Sequence, residues 1–130
     1  MKHAMKGIPV SIIRFLIVGL ANTLVGFSVI WVFEELMGIG NLISNLLGYV
    51  FGVCVSFIFN RRWSFSFHGE WLGSFLRFLV VFVIAYGTNL IVVFGAMALV
   101  HSDSVLLQLF GMPPYSIVFY FGCRRYAFPP

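Results

Sequence analysis

Charge is scarce in this chain of 130 residues: charged side chains make up 9% of it, and only four are acidic. A soluble domain of this size needs more polar surface than that composition supplies, so a free-standing soluble fold is excluded. Cysteine is scarcer still. Cys54 and Cys123 lie deep in apolar sequence, which argues against a disulfide framework or a metal site, and both are expected to be reduced and structural. His3, His68 and His101 sit at three separate places and do not converge by sequence. There is no P-loop, no HExxH, and no serine or cysteine nucleophile with a plausible base and orienter, so soluble-enzyme chemistry has no foothold. No metal, no cofactor, no nucleic-acid partner and no catalytic residue is expected. Without an ATPase signature, any transport must run downhill or be driven by a partner.

What is present is hydrophobic: 61% of the residues, sixteen phenylalanines among them, with a mean hydropathy of +1.02. The chain therefore reads as an integral membrane protein. Barrel strands alternate lipid-facing and lumen-facing residues with period two, and no such alternation occurs, so the fold class is all-α. Four segments are long enough to cross a hydrocarbon core that needs about 20 helical residues. They run over about 12–33, 41–60, 76–100 and 105–122. Lys2, Lys6 and Arg14 before the first run resemble the start of a signal peptide. That run is too long for one and lacks a small-residue cleavage site, so a retained first span is expected. Between the last two spans lies only the polar turn His101-Ser102-Asp103-Ser104, which predicts a helical hairpin.

Sorting charge by side sets the orientation. One side receives all eight Lys and Arg with Glu70, and the other receives Glu34, Glu35 and Asp103. Basic residues near span ends stay cytoplasmic, so both termini are placed there.

The chain also repeats itself. Sliding it by 63 residues pairs Arg14-Phe15-Leu16 with Arg77-Phe78-Leu79, Gly48 with Gly111, Arg61-Arg62 with Arg124-Arg125, and Phe65 with Phe128. Twelve of the 52 pairs from 14 to 65 are identical, more than this composition gives by chance. The single membrane domain is thus expected to hold two parallel two-helix repeats, about 14–65 and 77–128, related by a pseudo-twofold along the membrane normal.

Polar and small residues fall in stripes. On span two, Asn45, Gly48, Gly52, Ser56 and Asn60 share one face, with Gly48 and Gly52 forming a GxxxG pair. Close helix packing and an opening groove are both consistent with such a seam. Asn22 on span one and Asn89 on span three lie near mid-membrane, where an amide must face protein or a wet cavity. Span four carries Gln108, Gly111 and Tyr115 on one face and then Pro113-Pro114, which predicts a kink or break. Arg14, Arg61, Arg62, Arg77, Arg124 and Arg125 all stand at cytoplasmic span ends. Topology alone would put cations there. Yet all six are arginine, whose planar fork suits bidentate phosphate contact better than lysine does, and together they could ring an entrance that attracts an anionic headgroup.

The opening Arg14-Phe15-Leu16-Ile17-Val18-Gly19-Leu20-Ala21-Asn22-Thr23, the Ser56-Phe57 with Asn60-Arg61-Arg62-Trp63-Ser64-Phe65, and the closing Arg124-Arg125-Tyr126-Ala127-Phe128 resemble the GtrA family over nearly the whole chain. That resemblance implies a small multi-pass protein of the bacterial inner membrane. Its implied task is to help move a polyprenyl-phosphate-linked monosaccharide from the cytoplasmic to the periplasmic leaflet, for O-antigen, teichoic acid or other surface glycans, beside a membrane glycosyltransferase. The family's signature maps onto Phe57, Asn60, Arg62 and Trp63, whereas the second copy has Cys123 for Asn60 and Tyr126 for Trp63. The halves are therefore expected to contribute unequally.

Three functions follow from these features. As a translocase, the chain would hold the lipid phosphate with Arg61, Arg62, Arg124 and Arg125, and then with Arg14 and Arg77. The sugar would pass Asn22, Asn45, Asn60, Asn89 and Gln108, with Trp63 and Tyr126 at headgroup depth and the helices packed through Gly48, Gly52, Ser56 and Gly111. Four spans enclose little volume, so a homo-oligomer is expected. As a non-transporting partner, the chain would instead recruit a glycosyltransferase through the GxxxG seam. A proton-coupled drug exporter would need an acidic residue inside a span, and none is there.

Overall fold

A computed structural model describes residues 9–102 and 105–130. Lys2, His3, Lys6, Asp103 and Ser104, which figure in the charge and turn assignments above, lie outside the described residues. Among the described residues all regular structure is helical. Four helices are long and apolar enough to cross a membrane: Val10–Leu36, Asn41–Ser64, Trp71–Val100 and Leu106–Ala127. The chain divides into two compact units, Met1–His68 and Gly69–Pro130.

In the first unit, α1 (Val10–Trp31) closes in a π turn, Val32–Leu36, and α2 (Asn41–Phe59) closes in another, Asn60–Ser64. The reversal between them uses Gly38 at φ +66°, and the Ile39 amide donates back to the Phe33 carbonyl at 2.9 Å. A left-handed residue with this return bond satisfies carbonyls that the last helical turn leaves open. Asn41 Nδ2 then reaches Glu34 Oε1 at 3.1 Å, tying the start of α2 to the end of α1. At the other end of α2 the same device recurs: Ser66 is left-handed and the Phe67 amide donates to the Arg61 carbonyl at 2.7 Å.

The two helices run antiparallel and meet through small residues. A Cβ built on Gly48 would stand 3.2 Å from the Gly26 carbonyl of α1 and 2.6 Å from Ile30 Cγ1. A Cβ on Gly52 would meet Asn22 Oδ1 at 3.1 Å. Such closeness is what glycine provides where the membrane gives no hydrophobic drive between helices. Phe15, Val18 and Phe57 complete the buried part of this unit, and Phe15 meets Phe65 edge-on at 6.2 Å.

The second unit repeats this plan with different side chains. Its first helix, α3 (Trp71–Val100), ends at His101 in the left-handed conformation. A 3-10 segment, Val105–Gly111, then leads into α4 (Met112–Gly122) and a π turn, Cys123–Ala127. Pro113 and Pro114 fall in the first turn of α4, where a missing N–H breaks no helical bond. The expected break in span four is thus a change of helix type just before the prolines. Gly111 lies against Asn89 and Val93, and Gly122 against Val81. Phe78 is buried between Phe119 at 5.3 Å and Phe128 at 6.0 Å.

Hydropathy placed the third span five residues late. The backbone enters α3 at Trp71, with Ser74 Oγ donating to the Glu70 carbonyl at 2.7 Å, so Arg77 is a residue of the helix and not of the preceding loop. Arg14 likewise lies inside α1, and both arginine pairs lie within π turns. Apolar composition marks the hydrocarbon-crossing part of a helix, whereas backbone hydrogen bonding carries the helix beyond it.

Candidate functional site

The arginine end of each unit is built by the same contact. At the end of α2 the last carbonyls have no partner further along the helix. Arg14, one turn into α1, supplies it: Nη1 donates to the Trp63 carbonyl at 3.1 Å, and the guanidinium lies 5.5 Å from the Trp63 ring centroid. Shifted by 63 residues, Arg77 Nε donates to the Tyr126 carbonyl at 2.9 Å and Nη2 to the Ala127 carbonyl at 3.3 Å. Arg77 also pairs with the exposed Glu70 carboxylate at 3.6 Å. Arg14 and Arg77, ranked last as phosphate ligands from sequence, are thus engaged in closing their own hairpins.

The four remaining arginines differ. Arg61 lies 5.7 Å from the Phe67 ring centroid, Arg124 Nη1 donates to the Tyr120 hydroxyl at 3.0 Å, and Arg125 lies 5.6 Å from the Phe121 ring centroid. Arg62 is exposed and edges an open groove of about 690 Å³ on the first unit. Ile17, Val18 and Ala21 of α1 line it, facing Val55, Ile58 and Phe59 of α2, with Arg62 and Trp63 at its end. A groove of this kind can lay an apolar chain along its length and keep an anion at the guanidinium, and arginine is suited to hold phosphate by two parallel N–H contacts. In the second unit, Ile84 stands where Ala21 stands in the first, and Phe121, beside Arg125, stands where Ile58 does.

The polar residues have different surroundings within their own units. Asn22 packs on Gly52, and its Oδ1 is buried without a hydrogen-bond partner. Asn60 is 1% exposed, gives Nδ2 to Ser56 Oγ at 3.1 Å and leaves Oδ1 without a partner. Asn45 instead donates to the Asn41 carbonyl at 2.9 Å, one turn back in its own helix. Asn89 rests on Gly111 in the second unit, and Gln108 is exposed on the 3-10 segment. Trp63 and Tyr126 are both exposed beside their arginines. Gly48, Gly52, Ser56 and Gly111 are buried. Because Gly48 and Gly52 are covered by α1 of their own unit, the GxxxG seam is not a free face for another protein.

Sequence reasoning passed over Ser44 of α2 and Ser64 of its closing π turn, both buried. Their signal was available: the four-residue step that links Gly48, Gly52, Ser56 and Asn60 reaches Ser44 in one direction and Ser64 in the other. The approach of Gly26 to Gly48 is not legible in the sequence, because spacing along one helix does not say which residue of another it meets.

Residues 14–128 match the sequence model of a family described as GtrA/DPMS, transmembrane domain. Families of this kind are involved in lipid-linked sugar translocation or glycosylation and are in general transporters or flippases and not catalysts. No curated protein matches the chain.

Proposed function

Since the chain belongs to the GtrA/DPMS transmembrane-domain family, we propose that it moves a polyprenyl-phosphate-linked monosaccharide from the cytoplasmic to the periplasmic leaflet of a bacterial inner membrane, for glycosylation of a cell-surface polysaccharide. The observation that carries this reading is the apolar groove of the first unit with Arg62 and Trp63 at its end. The prenyl chain lies along Ile17, Val18, Val55 and Ile58 and the phosphate is received at Arg62, so tail and charge each have a favourable surrounding as the headgroup begins to cross. Arg61, Arg124 and Arg125 add positive potential at the same membrane face. Arg14 and Arg77 act one step back, by holding the turns that carry the other four. A membrane glycosyltransferase supplies the lipid-linked sugar, a homo-oligomer provides the enclosed volume that one chain lacks, and use of the sugar outside gives direction.

Liposomes containing the purified protein and a fluorescent polyprenyl-phosphate hexose test this reading. Access of an impermeant reagent to the hexose should rise when the protein is present. Arg62→Lys, which keeps the charge and loses the fork, should slow it about tenfold. Rates equal to those of protein-free liposomes, with helical protein in the bilayer, would exclude the translocase reading.

A further inference from the structure

A four-residue step of buried residues runs through α2 and its closing π turn: Ser44, Gly48, Gly52 and Ser56 in the helix, then Asn60 and Ser64 in the turn. Shifted by 63 residues, the corresponding face of the second unit reads Leu107, Gly111, Tyr115, Phe119, Cys123 and Ala127. Both units close in a π turn, although α2 is α-helical throughout where the second unit has a 3-10 segment over Val105–Gly111, and the corresponding positions are polar in one unit and largely apolar in the other.

The polar interface is also incompletely bonded. Asn60 Oδ1 and Ser64 Oγ have no partner, although their residues are only 1% and 4% exposed. Asn22 Oδ1, which reaches the same interface from α1 at Gly52, has none either. A buried acceptor without a donor is unfavourable, and in a bilayer there is no bulk water to relieve it. Two of these atoms are amide carbonyl oxygens and the third is a hydroxyl oxygen. All three can accept from an O–H group, and none of the six positions on the α2 face carries a charge that would suit a phosphate or a cation. From Gly52 to Ser64 the helix rises about 18 Å, so the acceptors form a file running inward from the arginine end.

We propose that this interface of the first unit receives the hydroxyl groups of a carbohydrate, with α1 and α2 parting to admit them, while the second unit keeps its apolar interface closed. The proposal rests on the translocase reading and assigns the sugar's passage to one half of the repeat. Ser64 and Asn60 take the sugar first, beside Arg62, and Asn22 takes it further in. The cargo phosphate starts at Arg62 and follows the sugar along the groove.

Water offers the same O–H donors, so the test uses two lipids in liposomes containing the full chain: a polyprenyl phosphate carrying a hexose, and the same lipid without the sugar. Ser64→Ala and Asn22→Ala should each slow the hexose lipid by about tenfold and leave the sugar-free lipid as it was, whereas Cys123→Ala should change neither. Equal slowing of both lipids, or of neither, means that the interface holds structural water only and overturns the proposal. A binding measurement stands apart from transport. With Cys54 and Cys123 replaced by alanine, maleimide labelling of Ser64→Cys should slow at least threefold, on the order of half a tenfold step, when the hexose lipid is added, and not with the sugar-free lipid. If wild-type protein moves neither lipid, the translocase reading fails, and this labelling decides the sugar site alone. Equal protection by both lipids, or protection by neither, overturns it.

Discussion

Alanine at Gly48 and alanine at Gly19 should move stability in opposite directions. Both glycines lie within helices, where replacing glycine by alanine gains about 0.5–1 kcal/mol of backbone entropy if space allows. Gly19 has nothing within 4 Å of the added Cβ, so its substitution should show that gain alone. At Gly48 the new carbon would stand 2.6 Å from Ile30 Cγ1 and 3.2 Å from the Gly26 carbonyl. Carbon atoms in contact prefer about 3.5–4.0 Å. Ile30 must therefore leave its rotamer, and because the second obstacle is backbone the helices must also separate. Overpacking of this kind costs about 1–3 kcal/mol, which outweighs the entropy gain. The two variants should differ by about 1–3 kcal/mol, a factor of roughly 5 to 150 in the unfolding equilibrium. Titration of the purified full chain in mild detergent with a denaturing detergent, followed by circular dichroism, reads this difference directly. A Gly48→Ala protein as stable as Gly19→Ala would refute the close approach of α1 and α2 on which the seam depends.

Arg77→Met should release the carbonyls of Tyr126 and Ala127 and speed amide exchange over residues 123–128 about tenfold, while Glu70→Gln should leave it nearly unchanged, because an ion pair with an exposed carboxylate contributes about 0–1 kcal/mol. Arg14→Met should act in the same way on residues 60–65, read by the same exchange measurement. Pro113→Ala should shift stability by less than about 1 kcal/mol in the detergent titration, because a proline in the first turn of α4 displaces no helical hydrogen bond. A gain of about 3 kcal/mol there would place the proline in a helix interior instead.

The residues differ in how far their roles could be read before the chain was folded. The four spans were legible because transfer of apolar side chains into lipid is nearly additive along the chain, and the bias of Lys and Arg to one side needs no contacts to be counted. The repeat was legible because Arg14, Phe15, Arg61, Arg62 and Phe65 each recur 63 residues on. Helix ends were less so. α3 begins at Trp71, directly after Glu70 in an extended conformation, a local backbone geometry that mean hydropathy does not register.

Most of the candidate site lay further out of reach. Six arginines near span ends are alike in sequence, yet Arg14 and Arg77 bond to backbone carbonyls 49 residues away while Arg62 edges a groove. Likewise Asn22, Asn45 and Asn60 are three amides in apolar helices, but Asn45 bonds to its own helix while Asn22 and Asn60 hold unpartnered oxygens in the helix interface. The sequence alone determined that this chain is helical with four segments long and apolar enough to cross a membrane, and it displays the 63-residue recurrence, since each of these depends on sums or spacings along one chain. Only the tertiary structure decided which arginine closes a turn, which edges an apolar groove, and which of two similar hairpins is polar inside, because those depend on which faces meet and on which hydrogen-bonding groups are left over once they do.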